Sequence, residues 1–365
     1  MKKSLIALSM LAACGTVMAQ SSVSLYGVAD AFVGSRQTAR IFLDATGNMV
    51  TPAQRQSVLD SGGLSASRWG LKGAEDLGSG LKANFVLESG FDISNGADTS
   101  TGILFDRQAF VGLSGNFGAV SLGRQYGAYD NVRSAFLSAQ GNSPAFDATG
   151  GVPLTQTLAR YAVNGAFTLP PFDNPSVQID MNSAAVAGRI GAWVGYQARI
   201  NNSIRYETPT LNGFQAAVVY GFGEAASTSD ASFSLTYANG PLALGLAYQD
   251  DELVKDFHLK NAAIGGNYDL GIAKVFLAYN QAKYTGLAKQ HEWAVGVRAP
   301  LGATTLVAQY AHSDGDDLGK SQSLGLSAEY SLSKRTTAYV GFNQTRAYER
   351  LVKNNAFGLG VRHTF

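Results

Sequence analysis

The side chains that could carry out catalysis are few and scattered in this chain of 365 residues. The four histidines stand far apart and lack the spacing of a metal site (His258, His291, His312 and His363). The chain contains neither the Gly-x-Ser-x-Gly elbow of a hydrolase nor the Gly-x-x-x-x-Gly-Lys loop that cradles phosphates. We therefore expect no enzyme, no metal site and no cofactor.

Two further motifs have a chemical interpretation and a simpler one. The acidic run from Ser313 to Asp317 offers oxygen ligands for Ca²⁺, but a solvated loop explains it better. The run from Gly221 to Ala226 imitates a dinucleotide fingerprint, yet no helix follows it, as such a motif requires. Glycine makes up 42 of the 365 residues, so a chance match is the better explanation.

The composition excludes several classes of protein. The formal net charge is +1, without the basic excess of a nucleic-acid-binding protein. Charged residues make up 15% of the chain, whereas soluble domains contain roughly 25%. The 16 tyrosines and 19 phenylalanines argue against disorder. A single cysteine cannot form a disulfide framework within the chain.

Residues 1–19 have the pattern of a secretory signal peptide. Two lysines precede a short apolar stretch, and Val17 and Ala19 occupy the −3 and −1 positions of a cleavage site. We expect cleavage after Ala19 and one domain over residues 20–365. Cys14 lies in a sequence that also suits lipoprotein processing, but that site would leave a very short signal. After Ala19 no stretch approaches the roughly 18 apolar residues that a membrane helix needs.

From Gly213 to Phe365 the hydrophobic pattern has a period of two, as in β-strands. Phe214, Val218 and Tyr220 alternate with smaller or more polar residues, and later runs repeat this alternation. The opposite face carries mainly Gly, Ala, Ser, Asn and Gln rather than the many charges of a soluble sandwich. Short breaks such as Asn239-Gly240 alternate with longer polar ones such as 250–257. This pattern favours a transmembrane, antiparallel, up-and-down β-barrel over a secreted sandwich.

We predict sixteen strands, an even number, as is usual in bacterial barrels. They are placed at 23–33, 58–73, 80–91, 103–114, 119–126, 199–208, 213–223, 229–238, 241–250, 258–268, 272–284, 290–299, 303–313, 320–331, 336–347 and 354–365.

The segment 127–198 lacks steady alternation and holds five of the nine prolines. We interpret it as a loop that folds into the barrel and narrows it. An extra hairpin using 158–168 and 188–197 would instead raise the strand number to 18.

Several motifs resemble the trimeric porins of Neisseria and other β-proteobacteria. The motifs are Ser22–Asp30, Ser67–Gly78, Leu87–Phe91, Arg107–Ser114, Leu122–Tyr126, Asn202–Tyr206, Tyr220–Glu224 and His363–Phe365. The resemblance implies a 16-stranded, trimeric, water-filled outer-membrane channel whose third loop forms a constriction. The terminal Phe365 resembles the signal that barrel assembly machinery recognises. The third loop is longer here than the family suggests.

Strand alternation and this resemblance together indicate which charged residues line the pore. Arg68, Lys72, Lys82, Glu88 and Arg205 lie opposite residues that we expect to face lipid. Arg107 faces the lumen if Phe110 faces lipid, and Arg124 is a weaker member of the same basic wall. Asp130 and Asp147 are the acidic candidates on the loop, where Ser143–Asp147 resembles the acidic tip of such loops. A basic wall that meets few acids favours anions.

We expect a homotrimer that passes small hydrophilic solutes and ions and contacts outer-membrane lipids, including lipopolysaccharide, and no nucleic acid. A substrate-selective channel with the enlarged loop as its binding site is the first alternative. An adhesin or a barrel enzyme is the second. The first would show saturable conductance with one solute, whereas a general pore gives linear flux.

Overall fold

The computed structural model describes most of the chain that follows the predicted signal peptide. The described residues are 22–39, 42–43, 49–50, 53–100, 102–141, 143–149, 152–153, 166–167, 179–180, 189–190, 192–193, 195–223, 228–254, 256–286, 288–316, 319–347 and 352–365. The predicted signal peptide, its cleavage site and Cys14 lie outside these residues. Among the described helices, none has the length and hydrophobicity needed to span a membrane.

Alternating side chains form sixteen strands, and one of them is interrupted. The strands are β1 (Ser22–Ala39), β2 (Ala53–Ser61 and Arg68–Gly78), β3 (Leu81–Gly90), β4 (Gln108–Gly115), β5 (Gly118–Tyr126), β6 (Arg199–Glu207), β7 (Phe214–Gly221), β8 (Asp230–Asn239), β9 (Leu242–Val254), β10 (Phe257–Asp269), β11 (Lys274–Tyr284), β12 (Lys289–Leu301), β13 (Thr304–Asp314), β14 (Ser321–Ser331), β15 (Thr336–Ala347) and β16 (Val352–Thr364).

The strands form one closed antiparallel sheet. Each strand pairs with its neighbour in sequence, and β16 pairs with β1, so that Val28 lies opposite Thr364. Closure leaves no unpaired sheet edge, which a bilayer could not satisfy. The predicted antiparallel barrel of sixteen strands is confirmed.

The alternative of 18 strands is wrong for the barrel sheet. β5 pairs directly with β6, with Tyr206 opposite Val120, so no hairpin is inserted between them. Short pairings do occur in the intervening segment, between Ala166–Phe167 and Ile179–Asp180 and between Val152–Pro153 and Arg189–Ile190, but they do not join the barrel sheet. The remainder of the proposed hairpin lies outside the described residues.

Alternation separates an apolar outer face from a polar inner face. On β12, Trp293 and Val295 are exposed to the outside, whereas Glu292 and Ala294, which alternate with them, are buried inside. The apolar band can therefore contact lipid while the small and polar residues face the lumen. Short turns join the strands at one end, as at 240–241 and 302–303, and longer connections at the other, as at 91–107 and 127–198.

The interruption of β2 is built around a buried carboxylate. Asp30 of β1 accepts hydrogen bonds from the backbone N–H groups of Gly63, Leu64 and Ser65, at 3.1, 3.0 and 2.7 Å. Its side chain also accepts the hydroxyl of Tyr339 from β15. These bonds hold the segment 62–67 across the inner wall, where it meets the inward loop.

The segment 127–198 is here called loop 3, and its described residues 127–141 and 143–149 lie along the inner wall of the barrel. It begins with a helix α1 (Ala128–Val132) and a π-helical turn (Arg133–Leu137). These pack against a floor of small wall residues, which are Ala247, Ala263, Ala278, Ala294 and Ala311. A Cβ on Gly245 of β9 would lie 2.6 Å from Val132. Small residues on the inner face thus make room for the loop.

Candidate pore constriction

Glu88 of β3 is the central acceptor of the narrow region. Its buried carboxylate accepts a hydrogen bond from Arg107 Nε at 2.7 Å and from the Tyr26 hydroxyl at 3.0 Å. Arg68 Nε lies 3.6 Å from the other side of the same carboxylate. One acid on β3 therefore orients two guanidinium groups that come from β2 and from the residue before β4.

Tyr126 links this group to an arginine that the sequence interpretation missed. Its hydroxyl accepts hydrogen bonds from Arg107 at 2.6 Å and from Arg199 at 3.3 Å. The Arg199 guanidinium carbon also lies 5.0 Å from the centre of the Tyr126 ring, a cation–π geometry. Arg199 is the first residue of β6, and only the pairing of β6 with β5 places it opposite Tyr126.

Loop 3 carries its own ion pair. Arg133 donates to Asp147 at 2.8 Å and to the Thr149 hydroxyl at 2.7 Å, and both charged residues are buried. Burial by itself would lower the pKa of Arg133, but the nearby Tyr196, Asp147 and Asp130 outweigh it and raise that pKa. The Arg133 guanidinium therefore stays charged. It neutralises Asp147, one of the two loop acids that we predicted to lie across the pore from the basic wall.

Asp130 is also held within loop 3. Its carboxylate accepts the Tyr196 hydroxyl at 2.7 Å, and Tyr196 lies against Tyr129 with 4.6 Å between ring centres. Burial raises the pKa of the Tyr129 phenol well above its ordinary value. The Tyr129 hydroxyl stays neutral and donates to Asn280 of β11 at 2.9 Å, which fixes the start of the loop to the wall.

The tip of loop 3 is seated on the wall formed by β1, β2 and β15. Ser143 donates to the Gly63 carbonyl at 2.6 Å, within the segment that Asp30 holds. Phe146 is fully buried against Phe32 and Tyr339, with ring centres 5.7 and 6.1 Å away. The described part of loop 3 is therefore anchored to the inner wall at its tip as well as at its start.

These parts enclose a space of about 750 Å³ between loop 3 and the wall. Its ionisable lining consists of five arginines and three carboxylates, namely Arg68, Arg107, Arg133, Arg199, Arg362, Glu88, Asp130 and Asp147. The lining therefore carries two positive charges in excess. Arg362 lies on the inner face of β16, where its alternation with Val361 is the sequence signal that could have identified it.

The other predicted wall residues lie elsewhere along the lumen or its rim. Arg205 binds Glu207 at 2.5 Å and lines a second space of about 420 Å³. Lys72 is exposed, with its Nζ 5.1 Å from the centre of the Tyr26 ring. Lys82 is exposed on the Glu88 face of β3, six residues or about 20 Å nearer the short turns.

Arg124 lines neither of these two spaces and is held by the connection before β4 and by β6. Its guanidinium donates to the Asp106 carbonyl at 2.7 Å and to the side chain of Asn201.

The prediction for Arg107 assumed that Phe110 of β4 faces lipid, and the structure shows the opposite orientation. Phe110 lines the lumen, whereas Val111 is exposed outside. Arg107 still reaches the lumen because it precedes β4, which begins at Gln108.

Comparisons with known proteins agree with this architecture. A sequence profile described as Gram-negative porin matches residues 4–349. Outer membrane porin protein 32 of Delftia acidovorans is 35% identical over 357 residues, which cover 93% of this chain and 88% of the relative. Major outer membrane protein P.IB of Neisseria meningitidis serogroup B is 29% identical, over the whole of both chains.

Among solved structures, the chain is similar to an anion-selective porin from Comamonas acidovorans. The TM-score is 0.70 at 27% sequence identity, and the match covers 94% of this chain and all of that one. The resemblance to neisserial and β-proteobacterial porins that the sequence motifs predicted is confirmed.

Proposed function

Because the chain belongs to the family of Gram-negative porins, and is therefore an outer-membrane channel for passive diffusion, we propose that its constriction prefers small anions to cations. The observation that carries this proposal is the excess of arginines over carboxylates around the narrow space. Fixed charge at a narrow point attracts the opposite ion and repels the like one.

The pairing of the charges strengthens the argument. Asp147 is compensated within loop 3 by Arg133, and Glu88 is shared between Arg68 and Arg107. Arg199 and Arg362 instead donate to hydroxyl groups, on Tyr126 and on Ser65 and Thr337. Neutral acceptors leave the positive charge of both arginines available to a passing anion.

The solute range follows from the same lining. The space is bounded by charged and hydroxyl-bearing side chains, which suits hydrated ions and small polar solutes. The comparisons favour such a diffusion channel over a substrate-selective one, because the relatives are porins.

The test is ion conductance across a planar lipid bilayer that separates KCl solutions of different concentration. Purified protein folded in detergent should give ohmic steps, with a reversal potential displaced toward the Cl⁻ equilibrium potential. A reversal potential displaced toward the K⁺ equilibrium potential would refute anion preference while leaving the porin function intact.

We also propose that the channel is a homotrimer and that Phe365 serves as its assembly signal. Support for both comes from the resemblance to trimeric porins, together with the position of Phe365 at the end of the closing strand. A trimer should close under high voltage in steps of one third of its full conductance. Closure in a single step would argue for a monomer.

A further inference from the structure

Phe110 of β4 places an aromatic ring on the inner face of the barrel, where alternation otherwise puts small and polar residues. The residue is half-buried, and its cross-strand partner Val86 on β3 faces the lumen beside it. Another inward phenylalanine, Phe32, is covered by loop 3, since it is buried against Phe146. Phe110 and Val86 instead line the open space of about 420 Å³ described above, here called the inner hollow.

The inner hollow lies between the constriction and the short turns. Val86 and Asn84 follow Glu88 on the same face of β3, two and four residues nearer the short turn. Tyr126 and Asn131 line both the hollow and the narrow space. A solute that leaves the constriction therefore enters the hollow directly.

Two glycines keep the ring of Phe110 uncovered. Gly112 lies two residues further along β4 on the same face, and Gly123 of β5 lies directly opposite Phe110. Neither position has a side chain that could lie over the ring. A Cβ on Gly112 would come within 2.5 Å of the Val120 carbonyl oxygen, so a larger residue would force the backbone to move. The hollow therefore has an apolar floor that is open to the lumen.

The other side of the hollow carries one positive and one negative charge. Arg205 binds Glu207 at 2.5 Å and also donates to the Tyr126 carbonyl at 3.2 Å. The Glu207 carboxylate accepts the side-chain amide of Gln215 at 2.9 Å, and its side chain remains 34% exposed. A charge pair without net charge thus faces the same space as the apolar floor.

The register of the strands gives the distance between the two halves of the hollow. Arg205 pairs with Ser121, and Ser121 pairs with Gly112, so the charge pair lies two strands, or about 10 Å, from β4. Phe110 lies a further two residues, or about 7 Å, along that strand. The side chains reach into this span from both ends, and a solute with a charged head and an apolar group can fill what is left.

We propose that the inner hollow binds one amino-acid zwitterion that has an apolar side chain. Its ammonium lies against Glu207, its carboxylate against Arg205, and its side chain against the ring of Phe110. An organic acid would leave Glu207 without a partner charge, and an amine would leave Arg205 without one. The ligand carries no net charge, so this site is independent of the ion preference of the constriction.

The test is the block of single-channel current by free L-phenylalanine, added to both sides of a planar bilayer that holds the folded protein in KCl. The current should fall with concentration and reach a plateau, because one site fills. Free glycine has the same two charges but no side chain, and its half-blocking concentration should be about fivefold higher. This comparison uses the unmodified chain and depends on no variant.

Variants of the apolar floor locate the site. Phe110→Gln removes the ring and should raise the half-blocking concentration of L-phenylalanine about fivefold. Phe110→Leu keeps an apolar side chain and should stay within about twofold of the parent. If Phe110→Gln gives no channels, Val86→Thr replaces a methyl group of the same floor with a hydroxyl at nearly the same size and should also weaken the block.

A variant of the charge pair tests recognition of the zwitterion. Glu207→Gln should raise the half-blocking concentration of L-phenylalanine about fivefold. It should not weaken the block by 3-phenylpropionate, which has the ring and the carboxylate but no ammonium. The matched control is Glu329→Gln, because Glu329 of β14 forms a similar pair with Arg298 at 2.6 Å, eight strands from β6. This control should stay within about twofold of the parent.

A fall in current that is linear in L-phenylalanine concentration would refute the site. Equal potency of glycine, or an unchanged block in both Phe110→Gln and Val86→Thr, would show that the apolar floor binds nothing. An equal loss of block by 3-phenylpropionate in Glu207→Gln, or an equal loss in Glu329→Gln, would refute recognition of the ammonium. Reversal potentials, measured without any amino acid, report on ion preference separately.

Discussion

The ring of Phe146 occupies the space that a side chain on Gly341 would need. A Cβ built on Gly341 would lie 2.6 Å from Cγ of that ring, well inside van der Waals contact. Phe146 belongs to the tip of loop 3, and Gly341 lies on the inner face of β15. The wall therefore contains a notch, formed by a missing side chain, in which the constriction loop is seated.

Gly341→Ala should loosen the constriction. Overpacking costs about 1–3 kcal/mol, enough to lower the ratio of seated to released loop tip by a factor of about 5 to 150. We expect larger single-channel conductance with more open-channel noise in planar bilayers. Ala338→Val, on the outer face of the same strand, is the matched control and should conduct like the parent. Identical traces for the two variants would show that Phe146 does not hold the loop.

The contact between Phe146 and Gly341 could not be predicted from the sequence. Alternation placed a strand at 336–347, because period two is a local property of a strand. Nothing local distinguishes Gly341, covered by a phenylalanine from loop 3, from a glycine that faces open water. The contact joins residues nearly two hundred positions apart and depends on the path of loop 3.

The same distinction applies to the charged residues. Arg68 and Glu88 are brought together because neighbouring strands keep their inner faces in register, which alternation can anticipate, whereas Arg107 reaches Glu88 from the connection before β4. Arg199 and Arg133 escaped prediction for a different reason. Arg199 depends on the direct pairing of β5 with β6 across loop 3, and Arg133 lies inside a loop without period. Positions in the middle of a strand are therefore predictable from alternation, whereas contacts that depend on the path of loop 3 are not.

Arg199→Gln should reduce anion preference. One charge acting on an ion about 4 Å away in a water-like medium contributes about 1 kcal/mol, a factor of about five in local ion ratio. The Cl⁻ to K⁺ permeability ratio should fall by up to that factor, as read from reversal potentials under a KCl gradient. Lys82→Gln removes an equal charge far from the narrow space and should change the ratio little. Equal effects of the two variants would show that charges along the whole lumen, rather than those at the narrow space, determine the ion selectivity.

Glu88→Gln should act in the opposite direction. The substitution keeps the size of the side chain and an oxygen for Arg107, but it removes the negative charge shared by Arg107 and Arg68. The excess positive charge of the narrow space grows by one, so the Cl⁻ to K⁺ permeability ratio should rise by up to a factor of about five. Glu207→Gln, beside Arg205 in the neighbouring space, is the control and should give a smaller rise. A fall in the ratio for Glu88→Gln would mean that released arginines turn away from the pore.

Phe365→Ala should separate barrel closure from assembly. The backbone of Phe365 exchanges hydrogen bonds with Gly27 at 3.0 and 3.1 Å, and these bonds survive the substitution. The ring lies over Gly27, where a Cβ would come within 2.8 Å of ring atom Cε2. We expect near-normal refolding in detergent, measured by the shift of the folded band on unheated gels. We also expect clearly less protein in the outer membrane of expressing cells.

Leu359→Ala shortens an outward side chain on the same strand and serves as the control, with normal amounts expected in the membrane. Phe365→Tyr keeps the aromatic ring and should restore assembly. If Phe365→Ala also fails to refold in detergent, the ring is needed to close β16 onto β1, because no assembly machinery is present in that experiment. If it reaches the membrane normally, Phe365 is not the signal.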